Sequence, residues 1–179
     1  MPPWHRSVLP ARVLVAAALG LCTWLIAVPT TAAGEGGGAG AERSVKPRSD
    51  EKCPVCGMFV ARYPDWIAGV RYQDGSRALF DGAKDLFKFL LRVEAYGAAA
   101  RRTDVASLFV TDYYAVKAVD AKAAWYVTGG DVLGPMGREL VPFEREADAQ
   151  EFLRDHHATG ILRFGEVTPG LLRALDGEP

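Results

Sequence analysis

From residue 66 onward the chain switches between two hydrophobic rhythms. WIAGVRY (residues 66–72) mixes β-branched and aromatic residues over a strand's length, QDGS (73–76) is a turn signal, and RALF (77–80) returns as a second strand. Together they predict a hairpin. DGAKDLFKFLLRVEAYG (81–97) changes period: Leu86, Phe87, Leu90, Leu91 and Val93 fall close to one helical face. Asp81 is placed to cap that helix and Gly97 to end it. VASLFVTDYY (105–114) then reads as a strand, which makes the order β-β-α-β.

The second half repeats the order. AAWYVTG (123–129) is a strand, DVLGPMG (131–137) a turn rich in glycine and proline, and RELVPF (138–143) the return strand. EREADAQEFLRDHH (144–157) has a helical pattern, and GILRFGEV (160–167) closes as a strand. Anchors line up as well: Trp66 with Trp125, Phe80 with Phe143, and Phe89-Leu90 with Phe152-Leu153. The expected fold class is therefore α+β, two related β-β-α-β units packed together. The units are residues 52–114 and 115–170, with TDYYAVKAVDAK (111–122) joining them and 171–179 as a C-terminal tail.

Ahead of these units the pattern is different. Residues 1–12 carry Arg6 and Arg12 and no acid, 13–28 are an apolar run, and small residues surround Ala33. That order reads as a secretory signal peptide over 1–33, with a retained N-terminal anchor as the alternative. The run of 16 residues is shorter than the roughly 20 that span a bilayer comfortably. Cys22 makes a poor lipidation site, since Leu21 precedes it and apolar residues follow. Residues 34–51, nearly free of apolar side chains, read as a glycine-rich flexible tether. The protein is thus expected to be exported, either periplasmic or attached to the outer face of the cytoplasmic membrane.

Composition changes the picture once the signal is set aside. Of 21 basic residues 19 remain against all 22 acids, so the exported part carries about −3 and shows no basic patch for nucleic acid. Its soft or borderline side chains are six: Cys53, Cys56, Met58, Met136, His156 and His157. They occur at only three places. No phosphate-binding glycine loop, H-E-x-x-H or G-x-S-x-G is present, and the acids read as solvated surface, so the sequence does not suggest an enzyme.

The first place, CPVCGM (53–58), admits several chemistries. A thioredoxin-type pair should open a helix after a strand, whereas a tether precedes this one and Gly57 suggests a knuckle leading into a strand. An exported C-x-x-C can close a structural disulfide. As a zinc knuckle it supplies two of four ligands, which a histidine could complete. Met58 favours a softer ion, because thiolate and thioether together select Cu(I). The second place, GPMG (134–137), presents Met136 at a loop tip, poorly placed for a core. The third, DHHATG (155–160), ends a helix. Adjacent histidines there point about 100° apart, so at most one serves a given ion, and His157, nearer the loop, is the better candidate.

Residues 52–168 resemble the NosL family, accessory proteins of nitrous-oxide reductase maturation. The resemblance lies in C-G-M (56–58), V-T-D-Y-Y (110–114), G-P-M-G (134–137) and the late histidine followed by ILRF (161–164). It implies a Cu(I) metallochaperone outside the cytoplasmic membrane, delivering copper to nitrous-oxide reductase together with a membrane ABC-type assembly complex. It also implies two related β-β-α-β units. Carried over by motif, the metal ligands would be Cys56, Met58, Met136 and His157, with Cys53 as a second thiol. Two departures stand out: Cys22 lacks a good lipidation context, and Ala158-Thr159 stand where Gly-Gly usually follows the histidine. An exported thiol–disulfide protein using Cys53 and Cys56, and a zinc-stabilised binding module, are the competing classes.

Overall fold

The computed structural model describes residues 45–91, 95–96 and 102–178. The expected signal segment, most of the tether and the helix stop at Gly97 lie outside the described residues. Within them the fold is α+β, built from antiparallel sheets and three helices.

Strand β1 (Ala68–Tyr72) pairs with β2 (Arg77–Phe80) through the expected hairpin, Ala68 opposite Phe80. Helix α1 (Ala83–Leu91) follows, then β3 (Val105–Asp112), which returns beside β1 with Gly69 opposite Phe109. A Cβ at Gly69 would fall 2.3 Å from the Phe109 ring, so only glycine lets these strands meet. Strand β4 (Lys117–Asp120) completes the order β2-β1-β3-β4. It occupies the segment expected to be a plain connection.

A second sheet is built from β5 (Trp125–Thr128), β8 (Val141–Phe143) and β9 (Gly160–Arg163), in the order β8-β5-β9. Helix α2 (Glu146–Asp155) joins β8 to β9. In both sheets the first strand is central, its hairpin partner lies on one side, and the strand after the helix lies on the other. The register corrects one expected equivalence. Phe80 faces Ala68 and Phe143 faces Trp125, so Trp125 corresponds to Ala68. Trp66 sits before β1 in a 3-10 turn (Pro64–Trp66) and packs on Tyr113, ring centroids 5.6 Å apart.

The segment expected to be a simple turn is a small ribbon, β6 (Leu133–Gly134) with β7 (Gly137–Arg138), and Met136 lies in the turn. The expected tail is largely helix α3 (Pro169–Leu175), capped by the Thr168 hydroxyl, which accepts the Leu171 N–H at 3.2 Å. Its missed signal was the run Thr168-Pro169, a capping residue followed by proline at the first helical position. Leu172 and Leu175 then bury into the core.

Alternation along β5 divides the apolar residues between two cores, as a period of two requires. Tyr126 belongs to the larger core with Val70, Phe80, Leu86, Phe87 and Leu172, and meets Phe87 edge-on at 5.0 Å. Trp125 and Val127 face the other way, onto Phe143, Ala149 and Phe152. The larger core thus extends across elements from both halves of the sequence.

Candidate metal centre

The segment CPVCGM is held at both ends. Glu51, just before it, accepts two hydrogen bonds from the Arg77 guanidinium, at 2.6 and 3.0 Å, which fixes the approach to β2. Lys52 and Phe59 form an isolated antiparallel bridge, and the Cys53 N–H donates to the Met58 carbonyl at 2.8 Å. Gly57 turns the chain with φ +78°, a left-handed conformation that costs glycine little. The expected knuckle is there, but a 3-10 turn (Val60–Arg62) follows it in place of a strand.

This loop lies over the start of α1. The Cys53 thiol donates to Asp85 Oδ2 at 3.3 Å, and the Cys56 thiol to Asp81 Oδ1 at 3.2 Å. One donor atom from each of these four residues lies within 4.8 Å of the other three. Asp81 does not act as the expected simple helix cap: it is fully buried with its carboxylate toward Cys56, and Asp85 is nearly as buried. Asp81 Oδ2 has no hydrogen-bond partner. Asp85 Oδ1 has none either, only the Lys88 ammonium at 3.6 Å. Both cysteines are free thiols. Burial, reinforced by the Asp85 charge, pushes the Cys53 thiol far above its ordinary range. Burial likewise raises Cys56 to about 12, against the pull of the Met58 N–H.

The ribbon carrying Met136 is fastened to the same helix start. Lys84, wholly buried, donates from Nζ to the Met136 carbonyl at 2.9 Å and pairs with Asp176, at the end of α3, at 3.1 Å. Glu139, just past β7, accepts the Lys84 N–H at 2.6 Å and the Leu140 N–H at 2.9 Å. Burial raises its carboxyl to about 8. The Met136 side chain itself is 42% exposed. Residues 78 positions apart in sequence, Met58 and Met136, are thereby tied to one end of α1, the first through the thiol loop and the second through Lys84.

His157 lies at the end of α2. It follows the last turn of α2 with φ 51°, and the Ala158 N–H reaches back to the Leu153 carbonyl at 3.0 Å, the pattern of a helix ending usually given to glycine. Its neighbour His156 stacks on Phe152 and meets Asp131 Oδ1 at 2.8 Å. Neither histidine belongs to the four-residue cluster. What the sequence reading missed is the aspartate pair. Its signal was available: Asp81 and Asp85 are four residues apart across a helix start, directly after a strand ending in Phe80.

Free thiols, carboxylates and a neighbouring thioether loop, all converging at one helix start, are the features against which relatives can be compared. The sequence model of the NosL family matches residues 44–172. The chain belongs to the NosL family. Among its relatives is the copper-binding lipoprotein NosL of Stutzerimonas stutzeri, 28% identical over 146 residues, which cover 74% of this chain and 71% of that one. The crystal structure of the copper chaperone NosL from Shewanella denitrificans superimposes with a TM-score of 0.60 at 24% identity, over 73% of this chain and 98% of that one. The second likeness establishes a shared NosL fold. Neither relative is named as an enzyme.

Proposed function

We propose that this protein is an exported Cu(I) metallochaperone that supplies copper for the maturation of nitrous-oxide reductase. The observation that carries the reading is the convergence of Cys53 and Cys56 with the Met136 ribbon at the start of α1, through Asp81, Asp85 and Lys84. It is supported by membership of a family with a copper-binding lipoprotein and a copper chaperone among its named members.

Cu(I) is the cargo. Its soft character matches thiolate and thioether donors, so the proposed shell is Cys56, Met58 and Met136, with Cys53 as the second thiol. Cys53 is buried and Met136 exposed, an arrangement that holds the ion from the inside and leaves one donor at the surface. An acceptor could then displace the thioether first, releasing copper by ligand exchange without any change of oxidation state. His157 enters this reading only as a donor brought over from the end of α2. Delivery would occur outside the cytoplasmic membrane, with the enzyme and its membrane ABC-type complex as partners and the N-terminus as the membrane attachment.

The burial of Cys53 weighs against the thiol–disulfide alternative, because disulfide exchange needs an accessible thiol. Copper titration of the reduced protein against a competing Cu(I) chelator tests the main reading. One equivalent should bind, and Met136→Ala and Met58→Ala should each weaken binding about tenfold or more, near 1.4 kcal/mol. Unchanged affinity in both variants would remove the thioethers from the site. Transfer to copper-depleted nitrous-oxide reductase, compared with another cuproprotein, tests the acceptor.

A further inference from the structure

The run V-T-D-Y-Y (110–114) stands out in the sequence, and the copper reading leaves it without a task. We propose that the turn after β3, with Tyr114 and Val116 at its surface, docks a basic segment of a protein partner in which arginine or lysine stands beside apolar residues. The proposal does not rest on the copper reading and can fail without it.

The turn is fixed from a single residue. The Asp112 carboxylate accepts the Ala115 N–H at 2.7 Å and the Glu144 N–H at 2.6 Å, and its carbonyl accepts the Val116 N–H at 2.9 Å. That closure holds Val116 at φ 49°. A β-branched side chain is an outlier there, where glycine would sit without strain. Burial does not explain the choice, because Val116 is 49% exposed. Strain kept at an exposed position points to a use for the side chain outside the fold.

The neighbouring residues indicate the kind of partner. Tyr113 packs into the second core, against Trp66 and Phe152. Tyr114 lies at the rim, its ring centroid 5.2 Å from Phe143 and 6.3 Å from Phe152, and stays 42% exposed. Phe152 belongs to α2, where Asp148, Glu151 and Asp155 follow one another at three- and four-residue steps and so form one acidic row. Partial burial, and then the charges of Glu151 and Asp155, raise the Tyr114 phenol above its ordinary value. Asp148 is tied to Arg145, whereas Glu151 and Asp155 are exposed and hold no ion pair among the described residues.

An exposed ring beside two unpaired carboxylates is a seat for a cation, which the ring face attracts within about 6 Å. Val116, two residues on, adds apolar contact. The same carboxylates repel an anionic lipid surface, which favours a protein segment over a membrane.

The test titrates reduced full-length protein with a short synthetic peptide of alternating arginine and leucine, followed by NMR. Shifts should concentrate at residues 112–117 and 148–155. Tyr114→Ala, and Glu151→Gln with Asp155→Asn, should each weaken binding about fivefold or more. Val116→Gly should raise the melting temperature yet weaken the peptide, a pairing that a purely structural residue would not show. Cu(I) affinity should be unchanged in all of them. Should Tyr114→Ala fail to fold, the carboxylate variant, altered only at exposed side chains, decides. Equal binding of a glutamate–leucine peptide, shifts scattered over other acids, a Val116→Gly chain that binds as tightly as the parent, or tighter binding to anionic phospholipid vesicles overturns the proposal. Sedimentation showing a dimer that Tyr114→Ala abolishes would give the turn to a second copy of this chain and overturn it as well. Failure of the copper reading registers separately, in the Met58 and Met136 titrations.

Discussion

Phe80 and Phe143 end the hairpin strands β2 and β8, and acids follow each at the same two offsets: Asp81 and Asp85 after the first, Glu144 and Asp148 after the second. Their surroundings diverge. Asp81 and Asp85 lie beneath the CPVCGM loop, sealed from water and facing thiols. Glu144 pairs with Lys117 at 2.5 Å where both side chains are half exposed, and Asp148, itself largely buried, pairs with Arg145, which is 72% exposed. The local frame is shared; what differs is what the tertiary structure lays over it. Where loop and ribbon exclude water, polar groups must find fixed partners or a cation, and chemistry becomes possible. Where solvent reaches, mobile surface partners satisfy the charges and nothing is left over.

The largest expected contrast comes from removing one charge in each region. Asp176→Asn takes away the partner of the buried Lys84 ammonium, 3.1 Å away. Leaving a buried cation without its carboxylate should cost about 3 kcal/mol. Lys117→Ala, which breaks the half-exposed pair with Glu144, should cost far less. Urea unfolding of the two variants makes the comparison, and equal losses would break it.

A smaller contrast lies two positions past each phenylalanine, where Gly82 answers Arg145. A Cβ at Gly82 would stand 2.3 Å from Glu139 Oε2, and that carboxylate is pinned by two backbone N–H groups. Gly82→Ala should therefore cost about 2 kcal/mol through overpacking. It should also loosen the Met136 ribbon, seen as faster amide exchange at residues 133–138. A variant as stable as the parent would mean that the buried region yields as readily as the exposed one.

The same buried carboxyl gives the first region a pH dependence of its own. Burial raises Glu139 to about 8, so the folded protein keeps a proton that the unfolded chain gives up near 4.5. Between about pH 5 and 8 the folded state binds more protons, and stability falls as the pH rises. Glu139→Gln should remove about 1–2 kcal/mol of that decline. Unfolding free energies measured across the window should show a flatter profile in the variant; an unchanged slope would place the dependence elsewhere.

How much of this was legible in the chain follows from where each signal is stored. RALF returned as β2 with the expected bounds, because a turn signal and β-branched neighbours act locally. CPVCGM and GPMG stood out through rare residue types. The aspartates did not, since acids are common and only burial makes these two distinctive. That burial comes from Cys53, 32 residues before Asp85, and from Glu139, 55 after Lys84. Strand β4 was hidden for a related reason: KAVD (Lys117–Asp120) has no apolar stripe of its own and is a strand because β3 offers an open edge. Trp66 misled by resemblance, its aromatic ring filling the second core from outside any strand.

The smallest expected effect separates the two regions most cleanly. His157 holds φ 51° just past α2, a conformation that L side chains adopt at some cost and glycine adopts freely. His157→Gly should raise stability by about 0.5–1 kcal/mol, read as a small rise in melting temperature. With a copper shell of Cys53, Cys56, Met58 and Met136, Cu(I) affinity should stay within about twofold in the chelator competition. Both readouts are needed. A gain in stability with unchanged copper binding assigns His157 to ending the helix and leaves the metal chemistry with the start of α1. A gain in stability with a tenfold weaker site would show that the end of α2 closes over the thiols when copper binds, and the contrast between a chemical region and a solvated one would hold only for the copper-free protein.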